Sequence, residues 1–433
     1  MAKKTLAAFL IYAILFTTVF VLLYPFLVDD GRVSGQHIRH EEIIVGRPSK
    51  AVHIPNAVEQ RQVLGLYEDS RSLSASQRDS PLVAAFEPHP MEEPQQVPEL
   101  PIVQDCPYIP KPLMKYVPAH HSVPLTNEEK LLAMCRQSKV VSLEDLFTET
   151  MVRTLSKIGE GAFADVYGCQ GDDWRKLALK ILPVGGDMKY NDEEQNSLKS
   201  IQPEMVVTLE LSLLGDPSRL EDKRFPHYTK NFMQVERAAY CEGKFPEFML
   251  DAWDEYDYRK DSDNDRPDIF GPKQQYIAFL LENSGMQVGS YVYHSFEEAL
   301  SILRQVTLSL AIAEEALQFE HRDMHRGNVL VKRTKEEFIY FRFNNKDYHI
   351  KTYGVQATIV DFTLSRVTQK ESHCLSHLDL NNLPWLFKGK GDIQFDVYRS
   401  MKNATKSEWH KFTPFTNVLW VNYLTVKTKI KGS

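Results

Sequence analysis

Apolar positions along this chain fall into three regimes. The first is an uncharged run from Thr5 to Val28, which as a helix rising ~1.5 Å per residue would be long enough to cross a bilayer. The run exceeds the apolar core of roughly 7 to 15 residues found in a cleaved leader. The pattern therefore predicts a retained single-pass transmembrane anchor at 5–28 behind a short tail at 1–4. The second regime, 29–125, has no apolar period, and eleven prolines lie between Pro81 and Pro124 among Gln, Glu and Ser. Proline at that density blocks helix interiors and sheet ladders, which predicts an extended, disordered stalk. The third regime, 126–433, carries the periodicities of a folded domain.

Within that domain, Leu177 to Leu182 reads as a buried strand interrupted by Lys180, with another strand just before it around 165–170. Val206 to Leu214 predicts a helix in which Glu210 is the sole acid among apolar neighbours. An apolar strand, Gln275 to Leu281, runs into Glu282, and Phe296 to Phe319 places Ala299, Ile302, Val306, Leu310, Ala313 and Leu317 at helical spacing. Two β-rich runs flanking Asn344-Asn345-Lys346 predict a hairpin, and a short strand over Ala357 to Val360 ends at Asp361. A mainly β first part followed by a long helix predicts an α+β, two-lobed fold with a small β lobe and a larger, mainly α lobe. The roughly 300 residues involved are enough for a sizeable core.

The chemistry concentrates in His321-Arg322-Asp323-Met324-His325-Arg326-Gly327-Asn328 and Ile359-Val360-Asp361-Phe362-Thr363. A carboxylate five residues before an asparagine, and another after a short apolar strand, is what a site needs to orient a hydroxyl beside ATP and Mg²⁺. Asp323 is the expected acceptor of the hydroxyl hydrogen bond. Asn328 and Asp361 are the expected oxygen ligands of the hard dication. His325 stands where most protein kinases carry a lysine, and its imidazole can donate a hydrogen bond there. Upstream, Lys157 to Val166 has the form of a glycine-rich loop, with Ala164 in place of a third glycine. Gly159, Gly161, Phe163 and Val166 are its expected nucleotide contacts, together with Lys180 and with Glu282 at the hinge. A lysine inside a buried strand needs a partner to offset desolvation, and Glu210 is the expected one.

Taken together, these segments resemble the haspin-type serine/threonine kinases. The resemblance rests on His321-Arg322-Asp323-Met324-His325, on Asp361-Phe362-Thr363-Leu364-Ser365-Arg366, and on Asn264-Asp265-Arg266-Pro267-Asp268. It also rests on Phe319-Glu320-His321, Gln394-Phe395-Asp396-Val397-Tyr398-Arg399 and Asn417-Val418-Leu419-Trp420, and it covers roughly residues 130 to 430. It implies transfer of the γ-phosphate of Mg-ATP to a Ser or Thr hydroxyl, with a histone tail threonine as the family's known target. It further implies that Asp396 anchors the catalytic loop from below. The family has an acidic groove for its basic tail, whereas here the corresponding segments read Gly285-Met286-Gln287-Val288-Gly289 and Gly389-Lys390-Gly391-Asp392. Fewer acids make an arginine-bearing tail a poorer partner.

A formal charge of −7 argues against general nucleic-acid binding, and no Cys/His cluster points to zinc. The five cysteines, Cys106, Cys135, Cys169, Cys241 and Cys374, are odd in number and widely spaced, and are read as buried thiols. Orientation of the predicted span is weakly set by Lys3 and Lys4 before it against Arg32 and Arg39 after it. The resemblance implies chromatin whereas the span implies a membrane. Two alternatives accompany the kinase reading: a pseudokinase or binding scaffold that has lost turnover, and a lumenal enzyme of the secretory pathway, for which Asn403-Ala404-Thr405 would be a glycosylation acceptor.

Overall fold

The computed structural model describes residues 125–161, 164–368 and 374–427. The predicted anchor at 5–28, the stalk up to 124 and Phe163 lie outside the described residues.

The first part of the domain is built on a sheet. Helix α1 (Asn127–Met134) is closed by a reciprocal cap between Thr126 and Glu129, and precedes strand β1 (Val141–Ser142) and the short helix α2 (Glu149–Thr154). Then follow β2 (Ser156–Gly161), β3 (Ala164–Gln170) and β4 (Lys176–Val184), helix α3 (Gln202–Leu214) and a single-turn helix α4 (Pro217–Glu221). After β5 (Tyr228–Thr229) come β6 (Val235–Glu242), helix α5 (Glu247–Lys260) and β7 (Gln275–Glu282). Six of these strands form one sheet in the order β1-β6-β7-β4-β3-β2.

Period-two alternation sends side chains to two separate cores. On β7, Ile277, Phe279 and Leu281 pack with Met205, Val207 and Leu211 of α3, whereas Tyr276 and Ala278 pack with Met249 and Leu250 of α5. On β4, Leu179 and Ile181 belong to the α5 side. Lys180, between them, therefore points to the α3 side.

The second part is organised by α6 (Phe296–Leu317), whose start is capped by the Ser295 side chain accepting from the Glu298 N–H. Its buried residues, Ile302, Val306, Leu310 and Ala313 among them, confirm the helical spacing. The helix ends two residues before the expected Phe319 because Gln318 turns left-handed, at φ 47°. Strand β8 (Met286–Gln287) precedes it, and beyond it lie β9 (Val329–Arg333), β10 (Phe338–Phe343), β11 (Lys346–Lys351) and β12 (Val355–Ile359). The β10–β11 hairpin turns on Asn344 and Asn345, both with positive φ, as the tightest hairpin turns require. A small β13–β14 pair (Arg366–Thr368 with Leu375–His377) precedes helices α7 (Ile393–Thr405) and α8 (Phe415–Lys427). Trp420 of α8, fully buried, packs edge-on against Tyr398 of α7 at 5.3 Å between ring centroids. Cys135, Cys169 and Cys241 are buried thiols as expected, but Cys374 is disulfide-bonded.

Candidate active site

Lys180 is the hub of the small lobe. Its ammonium lies 2.8 Å from Glu204 Oε1 in the first turns of α3. Burial alone would pull the lysine pKa down, but the carboxylates of Glu204 and Asp361 outweigh it and hold the group above the usual lysine range. The expectation that Glu210 is the partner is corrected here. Glu210 lies six residues further along the same helix, about 240° around its axis, and is buried on a different side. Which acid meets Lys180 is decided by the phase at which α3 packs on the sheet.

Glu204 continues the chain of contacts. Its Oε2 accepts a hydrogen bond from Thr363 Oγ1 at 3.2 Å, and the same hydroxyl lies 2.8 Å from Asp361 Oδ1. The Thr363 backbone N–H also donates to Asp361 Oδ1, at 3.3 Å. Asp361 sits in the left-handed region at φ 62°, a conformation uncommon for a residue with a Cβ. Its carboxyl, which burial would push up, is held below the usual range by Lys180 and the Thr363 bonds. Phe362, beside it, is buried against Phe319, Phe232 and His321.

The catalytic loop is fixed from both sides. The Asn328 amide nitrogen donates to the Asp323 carbonyl at 2.8 Å, and the Asn328 carbonyl accepts from the Val360 N–H at 3.0 Å. Asn328 and Asp361 are thereby held side by side. His321 is fully buried and neutral: burial drives its pKa down to about 4. Its Nδ1 accepts from the Asp323 N–H at 3.3 Å, which places the ring proton on Nε2, 3.1 Å from the Val360 carbonyl. Arg322, at φ 66°, turns inward to Glu320 and to the Trp409 carbonyl at 2.6 Å. Glu320 in turn accepts from the Thr413 N–H at 2.8 Å and the Thr416 hydroxyl at 2.9 Å, tying the loop to α8.

Asp323 itself is buried enough that its carboxyl rises to about 6, with His325 and a bond from Tyr398 pulling the other way. The Tyr398 hydroxyl donates to Asp323 Oδ1 at 2.5 Å. The expected anchor, Asp396, is instead a mostly exposed residue paired with Arg399. Residues two apart on a helix face roughly opposite ways, so only one of Asp396 and Tyr398 can meet the loop, and it is the tyrosine. His325 accepts the Gly327 N–H on Nδ1 at 3.0 Å, leaving its proton on Nε2, 4.0 Å from Asp323 Oδ1.

The elements expected to face a nucleotide are also together. A Cβ added at Gly159 or Gly161 would meet nothing within 4 Å, so both present bare backbone to open space under the β2–β3 hairpin. Val166, half-buried on β3, stands opposite Lys180 of β4 in the register. Glu282 is committed to the protein: its carboxylate pairs with Lys332, and its N–H donates to the Gln234 carbonyl at 3.0 Å. What remains of it for an adenine is the second lone pair of its carbonyl, whose first takes the Ser284 hydroxyl at 3.3 Å. Gly285 ends the hinge at φ 91°, where a Cβ would sit 2.2 Å from the Val331 carbonyl oxygen, so only glycine fits. Glu204, Thr363, Tyr398 and Glu320 are the site residues that sequence reading did not single out. Thr363 was visible as a hydroxyl two residues after Asp361.

A small sheet lobe carrying a lysine–glutamate pair, over a helical lobe presenting Asp323, Asn328 and Asp361, defines the two-lobed protein-kinase fold. Residues 115–431 match the family model described as "Haspin like kinase domain", and the chain belongs to that family. It is 33% identical over 306 residues to the serine/threonine-protein kinase haspin homolog of Drosophila melanogaster, covering 69% of this chain and 52% of that protein. With the serine/threonine-protein kinase haspin of Bos taurus it shares 36% over 304 residues, 70% of this chain and 38% of the relative. The Arabidopsis thaliana haspin homolog is 36% identical over 296 residues, 68% and 47% of the two chains. The chain thus spans about half the length, or less, of these relatives.

The expected localisation as a single-pass membrane protein is corrected. The chain belongs to a family whose resemblance implies chromatin, and no helix among the described residues is long and apolar enough to cross a membrane.

Proposed function

We propose that the chain transfers the γ-phosphate of ATP, with Mg²⁺, to a Ser or Thr hydroxyl of a protein substrate. The observation that carries this reading is the unbroken run of contacts from Lys180 through Glu204 and Thr363 to Asp361. In a protein kinase the lysine–glutamate pair and the metal-binding aspartate must both be in place for transfer. A scaffold that had lost turnover would have no need to keep them in register, and the pseudokinase alternative is set aside on that ground.

The residues present fit the nucleotide and its cation. Thr363 holds one oxygen of Asp361, and the amide nitrogen of Asn328 is spent on the Asp323 carbonyl. One carboxylate oxygen and one amide oxygen are then available to a hard cation that completes its shell with phosphate and water. No cluster of three or more His, Cys, Asp or Glu residues suited to a metal occurs among the described residues. Bound Mg-ATP supplies the phosphoryl group and neutralises its oxygens. Lys180 and the bare backbone at Gly159 and Gly161 orient the phosphates. Asp323 accepts the hydrogen bond of the substrate hydroxyl and takes its proton as the bond from that oxygen to the γ-phosphorus forms and the bond to the β–γ bridging oxygen breaks, with ADP as the leaving group. His325, with its proton on Nε2, donates to the transferring group from beside Asp323.

For the substrate, a histone tail is the first candidate because the relatives are named as haspins. The groove, however, is depleted of acid: Asp392 caps α7 at the Gln394 N–H and is paired with Lys427 at 2.5 Å. Neighbouring position 390 is a lysine. Incubating the full chain with labelled ATP, a histone amino-terminal peptide and a degenerate Ser/Thr peptide library tests the proposal. Label on Ser or Thr supports it, and label on no peptide, with ATP bound, refutes it.

A further inference from the structure

We infer that Lys157 is a positioning residue for the triphosphate, holding the β2–β3 hairpin in its phosphate-covering place from the outer side; the inference rests on the kinase reading above. Lys157 opens the glycine-rich segment, yet its side chain is completely buried. Its ammonium is 2.7 Å from Glu160 Oε2, 2.9 Å from Asp165 Oδ1 and 3.1 Å from Ser262 Oγ. It also lies over the rings of Trp253 and Tyr256 of α5, at 4.9 and 4.8 Å. An ammonium so enclosed is retained only where every donor is used, and here each goes to an oxygen.

Both carboxylates belong to the hairpin, and both are gripped again by the segment after α5. Glu160 accepts from the Ser262 hydroxyl at 2.6 Å and the Asp263 N–H at 2.9 Å. Asp165 accepts from Asn264 Nδ2 at 2.9 Å and the Tyr190 hydroxyl at 2.9 Å. Asn264 Nδ2 also reaches the Gly161 carbonyl at 3.3 Å. The hairpin is thus fastened to α5 and the segment after it on one side, while Gly159 and Gly161 leave the other side bare. None of the residues in this network belongs to the hinge segment from Glu282 to Gly285. Its loss should therefore cost phosphate recognition and spare adenosine, because only the phosphates depend on where the glycine backbone lies.

The test uses the full chain with two variants. Asn264→Ala cuts the strap without removing a charge, and Lys157→Met with Asp165→Asn removes one charge of each sign, leaving Glu160 its bonds from the Ser262 hydroxyl and the Asp263 N–H. Expected is a rise in KM for ATP of about tenfold, ~1.4 kcal/mol, with kcat, peptide KM and the Kd for adenosine each within about twofold. Folded variants with unchanged KM for ATP would overturn the inference while leaving the kinase reading intact. So would variants in which ATP and adenosine weaken together, since that marks general damage to the lobe. A wild-type chain that binds ATP no better than adenosine would overturn both readings. Should the double variant fail to fold, Asn264→Ala alone decides.

Discussion

Tyr398→Phe removes a single hydroxyl and changes the charge state of the acceptor carboxylate. Tyr398 is 5% exposed and its ring is packed against Trp420, so the phenylalanine ring keeps the packing. The lost bond, 2.5 Å to Asp323 Oδ1, favours the ionised carboxyl, which burial already pushes up to about 6. A hydrogen bond to a charged group contributes about 1.5–3 kcal/mol, and water entering from the substrate side recovers part of it. A net loss of ~1.4 kcal/mol raises the carboxyl by about one unit, to about 7. Only the ionised form accepts the substrate proton, so activity is present above this pKa and lost as pH falls through it. The acid limb of kcat/KM, centred near pH 6 in the wild type, should therefore move up by about one unit in the variant, with rates converging at about pH 8. Profiles that superimpose, or a limb that moves down, would refute the assignment of Tyr398 as the partner that keeps Asp323 ionised.

Glu204→Gln should lower kcat/KM at least about tenfold more than Glu210→Gln, because only the former meets Lys180 at 2.8 Å; equal losses measured by steady-state kinetics would contradict the pairing. Thr363→Val keeps the volume but loses the hydroxyl shared by Glu204 and Asp361, and kcat/KM should fall about tenfold, ~1.4 kcal/mol. A variant as active as wild type would show that the bridge has no part in the site. Lys390→Asp restores a negative charge to the depleted groove, and kcat/KM on a basic histone-type peptide should rise about threefold or more, with the gain shrinking at high salt. No gain at low salt would mean that groove charge does not set preference.

The motifs made Asp323, Asn328, Asp361 and Lys180 legible because each must be one residue type at one spacing, and the structure brings all four together. The strand around Lys180, the hairpin over β10 and β11, and the long helix before the catalytic loop were equally plain from their periods. What sequence did not disclose was rotation. Glu204 and Glu210 are both acids on one apolar helix, and only the packing phase of α3 against β4 selects the first. The same holds for Asp396 and Tyr398, where the family resemblance pointed to the aspartate and the packing phase of α7 brings the tyrosine to the loop. The Lys157 network was hidden for another reason. Its members come from four separate stretches, 157–165, 190, 253–256 and 262–264, and no local pattern links them.

The central claim is that this constellation transfers phosphate rather than merely binding nucleotide. Its most direct test is single-turnover transfer from labelled Mg-ATP by the full wild-type chain and by Asp323→Asn, with ATP binding measured on the same samples. The account predicts transfer by the wild type, equal ATP binding by both, and a loss of at least about a thousandfold in the rate for the variant, ~4 kcal/mol. Equal rates from the two proteins, or binding without transfer by the wild type, would contradict it.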